Sequence, residues 1–358
     1  MAAPDPDATG LATLDHDQIR AIRRFDQIVL GRADARGCRE TAYPALTPVA
    51  DLERIDYFRN FPHLGLGVAA IDPACVASVP LETEGDVRRV PADALQCAHH
   101  FLPSAACYPV YSTLRDRQLR TAHRVCVLQR CFRNETHYEG LVRLRGFTMR
   151  ELVVVGTRDD VLDFVGTEKR WIGRLALALG LDLEVRAASD PFFDPGGTRA
   201  KMQQLFPVKE EFVFEGDVAV SSVNSHRNFF GERWNIRVAD GTCAFSGCVA
   251  FGLERWLHAL TRRHAGDYEA IQAALASPAV AAALVFVGLP WGHPRVTALA
   301  TAWNHTLVLD GDGQVSGTGT NTSGQLTGHD DPRRGLERLS GLPAEVRAVA
   351  VSAGWAHS

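Results

Sequence analysis

Apolar positions Leu14, Ile19, Ile22, Phe25 and Val29 recur at helical spacing, which predicts an amphipathic helix over residues 14–29. From Tyr43 to Ala69 that pattern breaks. Pro44, Pro48 and Pro62 interrupt any long helix, and the text reads as loops and short strands. Strand-like runs follow at 124–130, 140–145 and 152–156. A long helix is expected from Asp159, whose carboxylate suits an N-cap, to Leu179, with Gly180 placed to end it. Further strands are expected at 211–218 and 234–238, and a helix opens near Gly252, carrying Arg255, Trp256 and Leu260. Strands gathered in the middle with helices at the edges predict an α+β fold built on an antiparallel sheet, not a βαβ wind.

Composition narrows this picture. The chain has 358 residues, 46% of them hydrophobic, which allows a large core and two or three domains. A net charge of -4 with 22% charged residues argues against disorder and against a protein living on non-specific nucleic-acid affinity. The small, polar, acidic N-terminus lacks a signal-peptide pattern. The most apolar run, 279–289, is about half the ~20 residues of a membrane span. A soluble, cytoplasmic protein with no membrane partner is expected. Eight cysteines without a CxxC pair do not make a disulfide scaffold, so most are expected as free, buried thiols. Neither GxGxxG nor GxxxxGK[ST] occurs, which leaves the two common glycine-loop nucleotide sites without support.

After about residue 290 the text changes. Superposing Trp303 on Trp355 also places His305 on His357, the mark of a repeat. His305-Thr306-Leu307, a turn at Asp312-Gly313 and a glycine-rich ending at Gly324-Gln325-Leu326 resemble one blade of a regulator-of-chromosome-condensation type propeller. One blade and the start of another cannot close a propeller, so either a truncated repeat or a degraded remnant is expected, truncation being favoured because the second copy stops inside its first strand. The organisation expected is a flexible tail at 1–12, a main domain at 13–290 and a partial propeller repeat at 291–358.

The chemistry-bearing text lies between Cys107 and Arg255. Cys131-Phe132-Arg133-Asn134-Glu135 is followed by Gly146-Phe147-Thr148-Met149-Arg150-Glu151, and later by Gly247-Cys248-Val249-Ala250-Phe251-Gly252-Leu253-Glu254-Arg255. With Tyr43-Pro44 and Phe61-Pro62 upstream and Cys107-Tyr108-Pro109-Val110 between, this order resembles motifs 2 and 3 of class II aminoacyl-tRNA synthetases over residues 15–265. The seryl branch is the best match, and within it the amino acid:carrier-protein ligases, which load an amino acid onto a phosphopantetheine arm.

The resemblance implies a class II synthetase-like antiparallel sheet flanked by helices, and an ATP site. Arg133 would hold the α-phosphate and Glu135 the adenine amino group. Phe147 would stack on one adenine face and Arg255 would cover the other, as a cation over a π-face. Arg143 and Leu144 of the motif 2 loop, Lys209, and the backbone at Ala219 would complete the nucleotide contacts, with Mg2+ accompanying ATP. A planar, permanently charged guanidinium suits the task assigned to Arg133. The resemblance further implies a catalytic Zn2+ on Cys107, Glu151 and Cys248, with an open position for the substrate α-amino group. Asn224 and His226, in Ser222-Val223-Asn224-Ser225-His226, match the family's N-x-H run and would line the amino-acid site. A rival metal set, Cys97, His99, His100 and Cys107, has suggestive local spacing but fits no standard zinc module.

Three functions remain open at this level. The first is ATP-dependent activation of glycine or alanine and transfer to a phosphopantetheinylated carrier protein. The second makes tRNA the acceptor, against which stand the lack of heptads for a coiled-coil arm and the acidic balance. The third is a non-catalytic binding protein acting through the propeller. The seryl branch also implies a homodimer.

Overall fold

The computed structural model describes residues 9–85, 87–194, 196 and 208–285, together with strands at 296–301, 305–310, 315–319 and 333–338. Helix α1 (His16–Ala35) begins at Asp15. The Asp15 carboxylate accepts from the Gln18 amide and the Gln18 side chain accepts from the Asp15 amide, satisfying two donors that have no intrahelical partner. The helix outruns the expected end because Ala33 extends the buried stripe of Phe25, Ile28 and Val29.

The elements that build the site then follow. They are β1 (Arg39–Glu40), α2 (Tyr108–Thr113), β2 (His123–Phe132), β3 (Gly146–Gly156), α3 (Arg158–Ala178) and β4 (Leu183–Ala188). After these come β5 (Lys209–Phe214), β6 (Val218–Arg227), α4 (Phe229–Trp234), β7 (Phe245–Gly252), α5 (Leu253–Arg263), α6 (Tyr268–Leu275) and α7 (Pro278–Val285). The strands form one seven-stranded sheet in the order β1-β2-β3-β7-β6-β5-β4. All pairs are antiparallel except β1 with β2.

Both faces of the central strands are covered, which is why 152–156 reads as an unbroken apolar run rather than an alternating one. Leu152 and Val154 pack on the helical layer with Phe25, Trp171, Trp256 and Leu260. Val153 and Val155 face the opposite way, onto Val110, Tyr111, Phe230 and Trp234. Gly247 lets α3 lie close to β7. A Cβ there would meet the Asn224 carbonyl and Val165 Cγ1, each at 2.9 Å.

Several expectations need correction. The N-cap of α3 is Thr157, whose hydroxyl accepts from the Asp160 amide; Asp159 sits in the first turn, where its charge complements the helix dipole. Gly180, at φ +69°, does follow the helix end. The run 140–145 is a turn closed by a single Glu139–Arg143 bridge, not a strand. The run 211–218 is a hairpin: β5 ends at Phe214, Glu215 and Gly216 take positive φ, and β6 starts at Val218. Trp234 closes α4, and only Arg237–Val238 of the run 234–238 is strand. Residues 1–8 of the expected tail lie outside the described residues, whereas Gly10 is buried and its carbonyl accepts from the Arg145 amide at 2.8 Å.

Beyond the main sheet, Val296–Thr301, His305–Asp310, Val315–Gly319 and Arg333–Arg338 pair antiparallel in chain order as a four-stranded sheet. Leu307 and Val315 are buried in it. The Asp312-Gly313 turn, Gly324-Gln325-Leu326 and the copy containing Trp355 and His357 lie outside the described residues. No described helix is long and apolar enough to cross a membrane.

Candidate active site

Adjacent residues of β3 point to opposite faces of the sheet. Arg150 enters the helical layer, with Nε and Nη2 each 2.7 Å from the Asp26 carboxylate of α1 and Nη1 2.6 Å from Glu40 of β1. Glu151 enters the other face. On the neighbouring strand β7, Ala250 is opposite Glu151 and Cys248 is opposite Val153. Glu151 and Cys248 are therefore diagonal neighbours on one face. Cys107, at the start of α2, is laid over them by the apolar packing of Val110, Tyr111 and Phe230.

The Sγ atoms of Cys107 and Cys248 and a Glu151 oxygen all lie within 4.8 Å of one another, and all three side chains are buried. Glu151 Oε1 accepts from the Ala106 amide at 3.4 Å, while its buried Oε2 has no hydrogen-bond partner among the described residues. Without a cation these acids suppress one another's ionisation. The Cys107 thiol is pushed well up by its hydrogen bond with Cys248, by burial and by Glu151. Burial raises the Glu151 carboxyl. The hydrogen bond with Cys107 favours the Cys248 thiolate, but burial and Glu151 outweigh it and the net direction is up. Two thiols and a carboxyl with an orphaned oxygen, gathered out of water, form a donor set that a soft divalent cation would satisfy.

The rival set does not assemble. Cys97, His99 and His100 are exposed, apart from the buried Cys107. Cys97 and His99 lie in a loop and His100 opens a two-residue strand, and all three side chains face solvent.

The three acids sit at the floor of a cavity of about 460 Å³ whose walls include Asn224, His226 and Arg133. Asn224, directly opposite Cys248 in the β6–β7 register, donates from Nδ2 to Cys248 Sγ at 3.4 Å. His226 Nε2 lies 3.8 Å from the same sulfur, and its Nδ1 is 3.2 Å from the Tyr111 hydroxyl and 3.3 Å from Ser246 Oγ. Burial pushes His226 down to about 4, so the ring is neutral at physiological pH.

A second slot of about 100 Å³ adjoins the first, and Arg133, Met149, Lys209, Ser222 and Ala250 line both. Every residue expected at the nucleotide borders this slot: Arg133, Glu135, Arg143, Leu144, Phe147, Lys209, Ala219 and Arg255. The Arg133 guanidinium lies 5.1 Å over the Phe147 ring and donates from Nε to the Ser104 carbonyl at 3.2 Å. Arg255 donates to the Val142 carbonyl at 2.7 Å and to the Ala219 carbonyl at 2.9 Å, tying the motif 2 loop to β6. Arg143 pairs with Glu135 at 2.8 Å. Lys209 lies 3.0 Å from Glu211 and 3.5 Å from Asp190. Burial, and after it the Arg133 charge, lower Arg255, so its guanidinium is partly dehydrated; Arg133, Arg143, Lys209 and Arg255 share the lining of the slot with Glu135, Glu211 and Glu254.

Sequence reasoning missed Tyr111, which stacks on Phe230 at 3.9 Å between ring centroids and reaches His226. Its place one helical turn after Cys107 is the signal that could have found it. Glu254 was also missed. It accepts from the Thr148 amide at 2.8 Å and from Arg130 at 3.2 Å, pinning the start of β3 to α5.

This architecture matches known proteins. The tRNA synthetase class II core domain (G, H, P, S and T) matches residues 98–264, and the regulator of chromosome condensation (RCC1) repeat matches 296–325. Amino acid–[acyl-carrier-protein] ligase 1 of Bradyrhizobium diazoefficiens is 34% identical over 269 residues, covering 70% of this chain and 78% of that protein. The chain belongs to the amino acid–[acyl-carrier-protein] ligase family. Ligase 2 of the same organism is 32% identical over 280 residues. The type-2 serine–tRNA ligase of Methanococcus aeolicus is 22% identical over 276 residues, which is 52% of its length. A crystal structure of M. kandleri SerRS in complex with A. aeolicus tRNASec shares the fold with a TM-score of 0.64 at 20% identity, over 75% of this chain and 56% of that one. The chain thus spans about half the length of these tRNA-charging relatives, and the class II synthetase-like α+β fold expected from the motifs is the one observed.

Proposed function

We propose that this ligase activates glycine or alanine with ATP and passes the aminoacyl group to the phosphopantetheine thiol of a carrier protein. One observation carries the reading: a floor of Cys107, Glu151 and Cys248 and an arginine-rich slot open into each other at Arg133. In the first step a carboxylate oxygen of the amino acid attacks the α-phosphorus of ATP, and pyrophosphate leaves. In the second the carrier thiol attacks the adenylate carbonyl, the thioester C–S bond forms and AMP leaves. Arg133, at the seam, is suited to holding the α-phosphate and the incoming carboxylate in line, which is an entropic as well as an electrostatic contribution. Arg143 and Lys209 would neutralise the remaining phosphate charge of the Mg2+–ATP complex, and Arg255 would cover the adenine face opposite Phe147. Glu135 and Phe147 would hold adenine.

The thiolate and carboxylate donors suit zinc, which in catalytic sites takes three protein ligands and keeps one position open. Bound by Cys107, Glu151 and Cys248, it would supply a Lewis-acid seat for the substrate α-amino group. With amine and carboxylate both held, only the side chain is left to discriminate. A wall can reject large side chains, but one methyl is worth only ~1–3 kcal/mol, so glycine and alanine should be separated imperfectly. A cytoplasmic homodimer fits the same reading. The four-stranded C-terminal sheet would be an appended binding module.

Amino-acid-dependent pyrophosphate exchange tests the first step, with glycine or alanine expected as best substrate, serine weak, and leucine and phenylalanine inactive. Robust exchange with leucine overturns the pocket assignment, and no exchange with any amino acid points to a binding protein. Offering holo-carrier protein against bulk tRNA tests the second step; aminoacyl-tRNA without acylated carrier favours the tRNA-charging alternative.

A further inference from the structure

Cys107, Glu151 and Cys248 are gathered on the floor of the cavity, and three polar side chains sit immediately behind the two sulfurs. Asn224 Nδ2 is 3.4 Å and His226 Nε2 3.8 Å from Cys248 Sγ. The Tyr111 hydroxyl is within hydrogen-bonding reach of Cys107 and is 3.2 Å from His226 Nδ1, which is also 3.3 Å from the fully buried Ser246 hydroxyl. The backbone is arranged to place these groups. The β6–β7 ladder bulges between Ser225 and Arg227, around His226, and Arg227 takes φ +54°, a conformation that costs a non-glycine residue energy.

Each hydrogen can be assigned. Once a cation is bound, both thiols are thiolates and can only accept. The Asn224 amide can only donate at Nδ2. If His226 carried its proton on Nδ1, its bare Nε2 lone pair would face the Cys248 thiolate. If the proton is on Nε2, it points at that sulfur, and Nδ1 is left as an acceptor for the Ser246 hydroxyl. The Tyr111 O–H is then free for the Cys107 thiolate. Only this second arrangement leaves every member of the cluster satisfied, as a buried polar network requires.

We propose that Asn224, Ser246, His226 and Tyr111 form a directional hydrogen-bond collar on the two sulfurs. Loading the site sets His226 as the Nε2–H tautomer, so His226 is a positioning residue for the ligand set. The proposal rests on the metal reading above. Groups in this position orient ligands and typically change metal affinity tenfold to a hundredfold when removed.

The test uses the full chain. Metal content per chain is measured first; a wild-type protein without stoichiometric zinc overturns the metal reading itself. With zinc present, ring-15N-histidine labelling and long-range proton–nitrogen correlation identify the His226 tautomer, the signal being assigned by its loss in His226→Gln. The Nε2–H tautomer is expected; an Nδ1–H tautomer or a doubly protonated ring overturns the collar. Should His226→Gln fail to fold, Asn224→Ala and Ser246→Ala are read in the cobalt-substituted protein. Losing the Asn224 donor raises the energy of the Cys248 lone pairs directly, and losing the Ser246 hydroxyl removes the donor that keeps His226 Nε2–H on the same sulfur, so in both variants the sulfur-to-cobalt charge-transfer band should move to longer wavelength. Zinc release to a chromogenic chelator should be about tenfold faster. Unshifted bands with unchanged release in both variants overturn the proposal.

Discussion

At the scale of single residues, chemistry limits what can be substituted. Arg133 and Arg255 both line the slot, where a preorganised charge is worth more than in water. Arg133→Ala and Arg255→Ala should each slow pyrophosphate exchange by roughly a hundredfold or more, about 3 kcal/mol, with an unchanged circular dichroism spectrum. Wild-type exchange in either variant would show that the slot is not the nucleotide site. The cysteines sort themselves by burial. Cys97 is exposed and Cys75 and Cys243 are half-buried, whereas burial pushes Cys38 up to about 12 and Cys126 to about 11. Because the thiolate is the nucleophile, maleimide or iodoacetamide at pH 7.5 (~1 unit below a free thiol) should label Cys97 first and leave Cys38 and Cys126 untouched until the chain unfolds. Mass mapping of the labelled peptides checks this, and early labelling of Cys38 would contradict the packing.

At the scale of elements, ion pairs hold the layers in register. Arg150, 1% exposed, joins β3 to α1 through Asp26 and to β1 through Glu40, and Arg32 of α1 is held to Glu168 of α3 at 2.8 Å with both side chains fully buried. Removing one member of such a pair leaves an uncompensated charge out of water. Arg150→Ala or Glu168→Ala should therefore lower stability by about 3–5 kcal/mol, read from urea midpoints at constant m-value. Replacing Arg150 and Asp26 together by apolar residues should cost far less than the single change. A double variant as weak as Arg150→Ala would show that the pair orders the fold and does more than neutralise itself.

At the scale of the whole molecule, the two pockets draw their described lining from no residue beyond Arg255, although Ile271, Leu275 and Val280 of α6 and α7 complete the helical core. The catalytic unit proposed for 13–290 should therefore keep its exchange activity when 291–358 is removed. A chain ending at residue 265 should be poorly soluble and inactive, because α1 and α3 would lose apolar cover. Exchange assays and thermal melts on the two truncations check the boundary. Loss of activity in the longer one would assign the C-terminal sheet a part in catalysis.

Some of this protein was legible from the residues alone. The stripe from Leu14 to Val29, the long helix ending before Gly180 and the helix opening at Gly252 follow from local periodicity and caps, which any chain segment carries with it. The arginines, Glu135, Glu151, Cys107 and Cys248 could be named because their chemistry has no substitute and their order matches a known set of motifs. The polar break Glu215-Gly216-Asp217 interrupts the apolar residues of 211–218 and marks the turn that separates β5 from β6, a local signal the expected single strand ran across. Tertiary structure decided what those signals cannot encode. The helix that takes Trp234 out of a strand packs that ring under α2. The register that sets Cys248 against Val153 and Asn224 brings Glu151 beside Cys248, and the packing of α2 lowers Cys107 and Tyr111 onto both. Register and layer packing are set by contacts between segments far apart in the chain, so a site assembled from them becomes visible only when the sheet is closed.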